Sequence, residues 1–373
     1  MKSPQVNMLE RTLIMKNQLL ISLLALAASV SGHAAESTVT EESVTLTESP
    51  AIEWKGKNNE TIDAKIITAP LSIRLENCSG IVISCCDLGS ISMTGCKDIT
   101  IRNCYIHDAP RRGVEISNSS KVRIAGCRIE HVSSGVYALN SQSIQVTGNF
   151  VLNVQGPMPQ AQMAQYNKVT GPDNIVSGNY AINEHGKSKP EDVINIYQSS
   201  GTETSPILVE GNYLTGDPVA GSEGMSISGS GIMLGDGGGE HILCRKNVLI
   251  SPGQVGIGVA GGHFVRVEAN IIYGKQSNAS DCGLYVWNQS KKPSDHVSIV
   301  GNRVSWVNKT GANNSSWDGH NVDALEWSDN QLADATLPAT LPAPPSHAPT
   351  PPKLWTSVNA SGTTMARVPW KTK

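Results

Sequence analysis

The chain has 373 residues, of which 35 are Gly and 20 Pro, with 16% charged residues and only 2 Phe. That composition excludes a coiled coil, a helical bundle and a charged disordered protein, and it favours turns. The formal net charge is −3, and removing residues 1–34 takes away Lys2, Arg11, Lys16 and Glu10, leaving 26 basic against 31 acidic side chains, which disfavours nucleic acid as a partner.

In chain order, Lys16 precedes an apolar run over residues 19–30, which is followed by Gly32-His33-Ala34-Ala35. This is the form of a secretory signal, assigned to residues 1–35. The run is shorter than the ~20 apolar residues that a membrane span needs, so a secreted or periplasmic protein without membrane insertion is expected. Residues 36–50 are rich in Thr, Glu and Ser and read as an N-terminal lead or cap.

A motif of the form apolar-x-apolar-x-small-(Cys/Asn)-x-apolar then recurs from residue 81 onward. It places Cys86, Cys104, Cys127, Asn149, Asn179, Asn212, Asn247, Asn270 and Asn302 in one column. The first spacings are 18, 23 and 22 residues, and later ones stretch to 30, 33 and 35. A unit of that length, with short strands and no helical period, predicts an all-β, right-handed parallel β-helix of about nine to ten coils over residues 51–332. Asn suits the column because it tolerates a sharp bend and its amide can bond to the Asn one rung away, forming a structural ladder.

A strand precedes each motif, and its alternation gives an outward row of Glu115, Tyr137, Gln165, Asn195, Met233, Gly258 and Tyr285. The next outward row is Ser117, Asn167, Tyr197, Gly235, Ala260 and Trp287. The small residues Gly235, Gly258 and Ala260 predict a depression between aromatic ends suited to sugar rings. Longer insertions at 156–162, 184–192, 216–231 and 305–321 predict long loops on one face. Residues 333–352 are Pro-rich and read as an extended linker, and 353–373 form a short C-terminal tail.

Six of the eight Cys, Cys78, Cys85, Cys86, Cys96, Cys104 and Cys127, crowd into the early rungs. They are expected to be buried thiols that fill small apolar positions, with one or two bridges between rungs as the alternative. No zinc spacing is present.

The rung pattern resembles the right-handed parallel β-helix superfamily of pectate lyases and related carbohydrate enzymes. Gly156-Pro157-Met158-Pro159, residues 165–169, Pro190-Glu191-Asp192-Val193-Ile194-Asn195-Ile196-Tyr197, residues 231–236 and residues 253–257 together resemble the β-helical alginate lyases of polysaccharide lyase family 31. One departure is Gln160-Ala161, where that pattern often has Arg-Gly, which removes a cation suited to a uronate carboxylate. The resemblance implies β-elimination on a 4-linked uronate polymer, with an acidic linear polysaccharide as the partner of a monomeric enzyme. Such chemistry must remove the C5 proton, protonate the departing O4 and offset charge on the carboxylate. Lys168 is then the candidate base and Tyr137 the candidate acid. Gln165, Asn167, Asn195, Tyr197, Tyr285, Trp287, Arg111 and Arg112 are candidates for binding substrate. No cofactor is required, and Glu191 with Asp192 form the place where Ca²⁺ could bind.

The turn carrying His107 and Asp108, and His131 one rung on, are further acid/base candidates whose simplest reading is a polar surface turn. Hydrolysis ranks below elimination because no closely spaced Asp pair is visible in the chain. A C5-epimerase shares the first step of elimination, and a polysaccharide-binding protein would keep the aromatic trough without a base.

Overall fold

The computed structural model describes residues 44–157, 161–216, 229–345, 355–358 and 364–367. The signal-like segment, the lead up to residue 43, Met158, Pro159 and Gln160, and most of the C-terminal tail fall outside these residues. The described part is all β, and it forms a right-handed parallel β-helix.

Three columns of parallel strands run along it. The first column begins with Ile52–Lys55, Ile73–Glu76, Ile91–Thr94, Val114–Ser117 and Val136–Leu139, each paired in register with the next. It continues through Ala164–Asn167, Ile194–Ser200, the start of Ser230–Arg245, Val255–Val259 and Cys282–Val286 to Ser316–Asp318. That makes eleven rungs among the described residues. The sequence motif misses the coils of the first and last of them, because residues 60–67 have Glu60 and Lys65 at its first apolar and its Cys/Asn positions, and residues 325–332 have Trp327 and Asp329 in place of an aliphatic and a small residue. The second column follows each first-column strand after a sharp bend, and the two columns together make a 21-stranded sheet. The third column, from Val44–Glu48 to Gln331–Leu332, belongs to a 14-stranded sheet.

Strand alternation decides what lies inside. In Val114–Ser117 the residues Val114 and Ile116 are fully buried while Glu115 and Ser117 point outward. The inward Val, Ile, Leu and Met of all three columns join one apolar core that runs from Ile62 to Trp306. Each such side chain contributes roughly 1.5–3 kcal/mol by leaving water.

One corner of the coil is closed by the Asn ladder. Asn149 Nδ2 donates to Asn179 Oδ1 at 3.0 Å, and the same bond repeats from Asn179 to Asn212, Asn212 to Asn247, Asn247 to Asn270 and Asn270 to Asn302 at 2.9 Å. The ladder runs one step further than the motif, to Asn330, again at 2.9 Å. At its other end Asn149 Oδ1 accepts the Cys127 backbone N–H at 2.9 Å, so Cys takes the column where the amide chain stops. All eight cysteines are free thiols, seven of them buried.

Among the described residues, the connections from the third column to the first include long ones at 184–193, 275–281 and 307–315, whereas 158–160 and 217–228, within two further connections, lie outside the described residues. They therefore border the first column, which is where the outward rows lie. After the last coil the chain turns back along the third column: Arg303 bonds Asp334, Thr336 and Thr340 at 2.7–2.9 Å, and the Tyr213 hydroxyl donates to the Pro342 carbonyl at 3.2 Å. Further on, Trp355–Val358 pairs in parallel with Val44–Thr47 at the opposite end of that column.

Candidate active site

The first outward row is aligned rung by rung as Glu115, Tyr137, Gln165, Asn195, Met233, Gly258, Tyr285 and Trp317. The second row starts as Ser117, Leu139, Asn167 and Tyr197, but it then departs from strict alternation. The register slips between Ile196 and Tyr197, so Tyr197 pairs with Asp236 and not with Gly235. Gly235 takes φ +63° in this bulge, and a β-carbon there would lie 2.0 Å from the Gly261 carbonyl oxygen. The bulge thus removes Gly235 from the outward row and delivers a carboxylate in its place.

Asp236 joins two others. Asn195, only 4% exposed, donates through Nδ2 to Asp192 Oδ2 at 2.7 Å and to Asp236 Oδ2 at 3.3 Å. Asp192 Oδ1 accepts the Ser230 backbone N–H at 2.6 Å, so both oxygens of this buried carboxylate are held. Gly229 makes room for it, since a β-carbon there would come within 2.5 Å of Asp192 Oδ1. Glu191 accepts a hydrogen bond from the Gln162 amide. Burial, followed by the charges of Asp192 and Asp236, pushes the Glu191 carboxyl up to about 8. Burial also pushes Asp192 up to about 6, against the pull of its two hydrogen bonds, and it raises Asp236. Paired Asp residues are therefore present at the trough, brought together by rung stacking across 41 sequence positions between Asn195 and Asp236.

Beside the cluster opens a cleft of about 510 Å³, with Asp192 at its edge and Tyr285, Trp287 and Trp317 among its walls. The depression expected at Gly258 is filled. Tyr285 lies over it, its hydroxyl donating to Met233 Sδ at 3.3 Å and accepting from Gln289 Nε2 at 2.7 Å. Burial, reinforced by the charges of Asp192 and Asp236, raises the Tyr285 phenol, which stays protonated at neutral pH. Trp287 and Trp317 are 43% and 46% exposed and meet edge to face at 5.6 Å.

The other expected residues group at the opposite end of the trough. Tyr137 is buried, its hydroxyl accepts from Asn167 Nδ2 at 3.0 Å, and the Arg112 guanidinium lies 3.6 Å from its ring centre. Arg112 also pairs with Glu115 at 2.5 Å, and Arg111 is exposed beside them. Lys168 occupies the bend just after Asn167 with φ +56° and is exposed, so the partial desolvation expected of a base is missing there. Gln165 and Tyr197 lie on the trough surface, the latter hydrogen-bonded to Gln198 at 3.0 Å. Glu191 faces Gln162 while Asp192 spends both oxygens on Ser230 and Asn195. Among the described residues no group of three or more His, Cys, Asp and Glu side chains is arranged to hold a metal ion. His107 is clasped between Asp87 and Asp108 at 2.9 and 2.8 Å, and His131 reaches Asp108 at 3.2 Å, in a network of the third column and its turn.

Three polar atoms along the trough are buried without a hydrogen-bond partner: Arg112 Nε, Asn167 Oδ1 and Asn195 Oδ1. Unpaired buried polar atoms are rare, and a row of them at one surface is the kind of feature a ligand satisfies.

Residues 50–201 match the family model described as a right handed beta helix region. Among solved structures, the catalytic domain of a GH87 alpha-1,3-glucanase in complex with tetrasaccharides aligns with TM-score 0.47 at 14% identity. That alignment covers 77% of this chain and 64% of the glucanase domain, so the chain spans under two thirds of that domain. An alginate lyase from Paenibacillus sp. str. FPU-7 aligns with TM-score 0.41 at 11% identity over 75% of this chain and 99% of the lyase. The Streptococcus pneumoniae surface protein and adhesin PfbA aligns with TM-score 0.40 at 13% identity over 77% and 89%. No curated protein matches the sequence.

Proposed function

We propose that the chain is a secreted enzyme that cleaves the glycosidic bonds of an extended polysaccharide lying along the outward face of the first column. The observation that carries this reading is the convergence of Asp192 and Asp236 on the Asn195 amide, next to Glu191 and an aromatic-walled cleft. Hydrolysis of a glycoside needs one carboxylic acid that keeps its proton at the working pH and one carboxylate that has lost it. Glu191, pushed up to about 8, suits the donor: its proton passes to the departing glycosidic oxygen as the C–O bond breaks. Asp236, half-buried and held by a single 3.3 Å bond, is free to take the proton of the attacking water or to attack the sugar itself. Asp192, with both oxygens engaged, orients Asn195 and through it Asp236.

The group at the opposite end favours a second reading, β-elimination on a 4-linked uronate polymer such as alginate. There Lys168 would take the C5 proton, Tyr137 would protonate O4, and Arg112 and Asn167 would face the uronate. Neither reading requires a cofactor. One experiment separates them: incubation with alginate, polygalacturonate, glucuronan and neutral glucans, xylans and mannans, following both new reducing ends and the ultraviolet absorbance of an unsaturated uronate. Reducing ends without absorbance support hydrolysis, and absorbance supports elimination. Silence on every polymer would leave a binding protein and end the enzyme reading.

A further inference from the structure

The cleft beside the carboxylate cluster carries information about the sugar it takes. Among the described residues that line it, the charged ones are Asp192 and Asp281, and none is Lys, Arg or His. Asp236 and Glu191 add acidic groups next to it. Its neutral hydrogen-bonding groups are of the kind that sugar hydroxyls match, namely the Tyr285 phenol and the amides of Gln254, Gln289 and Asn314. The Tyr285 hydroxyl donates to a thioether sulfur, a weak acceptor that a sugar oxygen would readily replace. Trp287 and Trp317 hold each other edge to face while each remains more than two fifths exposed, which leaves flat apolar ring surface for a pyranose. Trp287 is fixed there because Gly319 gives it room: a β-carbon at 319 would meet the indole Cδ1 at 2.7 Å.

We propose that this end of the trough is a subsite for an uncharged sugar, stacked on Trp287 and Trp317, hydrogen-bonded to Tyr285, and closed to uronates by the carboxylates around it. The proposal rests on the reading of the trough as a glycan site, and it narrows that site's substrate to a polymer with a neutral residue next to the cleavage point. A uronate placed here would bring its carboxylate against Asp192 and Asp281, with no cation among the described lining residues to offset it, at short range in a partly water-excluded cleft. The expected acidic polysaccharide is thus confined to the arginine-bearing end, around Arg111 and Arg112.

The test is binding, measured without cleavage. Tryptophan fluorescence of the full chain is titrated with linear hexaoses of glucose, xylose, mannose and galactose, and with hexamers of mannuronate and galacturonate. At least one neutral hexaose is expected to quench saturably, about tenfold or more tighter than either uronate. Its affinity should be insensitive to salt. Trp317→Ala and Tyr285→Phe should each weaken that binding about tenfold or more without lowering the melting temperature by more than a few degrees. A uronate bound as tightly as the best neutral hexaose, no neutral hexaose bound, or binding indifferent to Trp317→Ala would each overturn the proposal. A protein that binds neutral hexaoses and cleaves no polymer keeps this subsite while losing the proposed reaction, so the two failures are told apart.

Discussion

Tyr285 lies across Gly258: a β-carbon at residue 258 would fall 2.6 Å from the tyrosine Cζ and 2.7 Å from its hydroxyl. The tyrosine leans past its own rung toward Met233, two rungs away in the same outward row, and so brings a phenol to the edge of the carboxylate cluster. Gly258→Ala is therefore expected to push Tyr285 outward. The stability cost should be about 1–3 kcal/mol, the usual range for overfilling a packed site. Polymer cleavage should fall at least about tenfold as the phenol leaves its position. In a Tyr285→Ala background the same substitution should cost under about 0.5 kcal/mol, because nothing remains to clash. Denaturant titration of the four proteins of this cycle measures the coupling, and a Gly258→Ala cost that persists without Tyr285 would show that the glycine serves another purpose.

The outward row was legible in the sequence because period-two alternation holds over each short strand, and every member from Glu115 to Tyr285 falls where counting by two puts it. Three features were not legible, each for a physical reason. Asp236 escapes because the Gly235 bulge inserts a residue, so counting two from Met233 lands on a glycine. The supposed hollow at Gly258 escapes because a missing side chain leaves space only until a neighbouring rung fills it, and Tyr285 does. The Asp192–Asp236 proximity escapes because rung stacking creates it and no local motif records it. By contrast, the Asn ladder needed only a repeating column, and its last member, Asn330, was missed because Trp327 and Asp329 stand before it in place of an aliphatic and a small residue.

The ladder makes a stability prediction of its own. Asn212 Nδ2 donates to Asn247 Oδ1 and to the Val176 carbonyl, both at 2.9 Å, while its Oδ1 accepts from the Asn179 backbone N–H and Nδ2 at 3.0 and 2.9 Å. Replacing Asn212 by Ala removes these four buried hydrogen bonds and leaves the Asn179 backbone N–H without its acceptor, while Asn247 Oδ1 keeps the backbone N–H of residue 212 and Asn179 Nδ2 keeps the Val146 carbonyl. At roughly 0.5–1.5 kcal/mol for each lost bond, with more for the N–H left unsatisfied, a loss of about 3–5 kcal/mol is expected. Asn302→Ala, near the open end where Asn330 is only half-buried, should cost less. Equal costs at both sites, read from thermal melts, would mean that the ladder is not a buried network.

The two readings of the reaction differ over Lys168. If cleavage is hydrolysis at the carboxylate cluster, Lys168→Ala should leave turnover within about threefold of wild type, because an exposed residue at the bend has no role in that chemistry. Asp236→Asn should then reduce turnover by about a thousandfold, in line with loss of an acid/base group together with its charge. Elimination reverses the order: Lys168→Ala and Tyr137→Phe abolish activity, and Asp236→Asn is tolerated. Initial rates of these three variants on the best polymer, with circular dichroism to show that each is folded, assign the reaction to one end of the trough.

The pH dependence follows from the same cluster. Hydrolysis requires Glu191 protonated, so the rate should fall as pH rises through about 8, and it requires Asp236 ionised, so the rate should fall again on the acid side, where the Asp236 carboxyl, raised by burial, takes up a proton. Glu191→Gln should abolish most activity, and any residual rate should lack the alkaline limb. Stability runs in one direction only. Because the Glu191 and Asp192 carboxyls are raised in the folded state, the unfolded chain ionises them first as pH increases from about 4. The native state then binds more protons than the unfolded one, so stability drops between about pH 4 and pH 8 and levels off above that. Glu191→Gln should flatten the upper part of this slope and raise the melting temperature at pH 8 while changing it little at pH 4. A wild-type melting temperature that climbs from pH 5 to pH 8, or a Gln variant with an unchanged slope, would mean that Glu191 ionises in the fold as readily as it does in water.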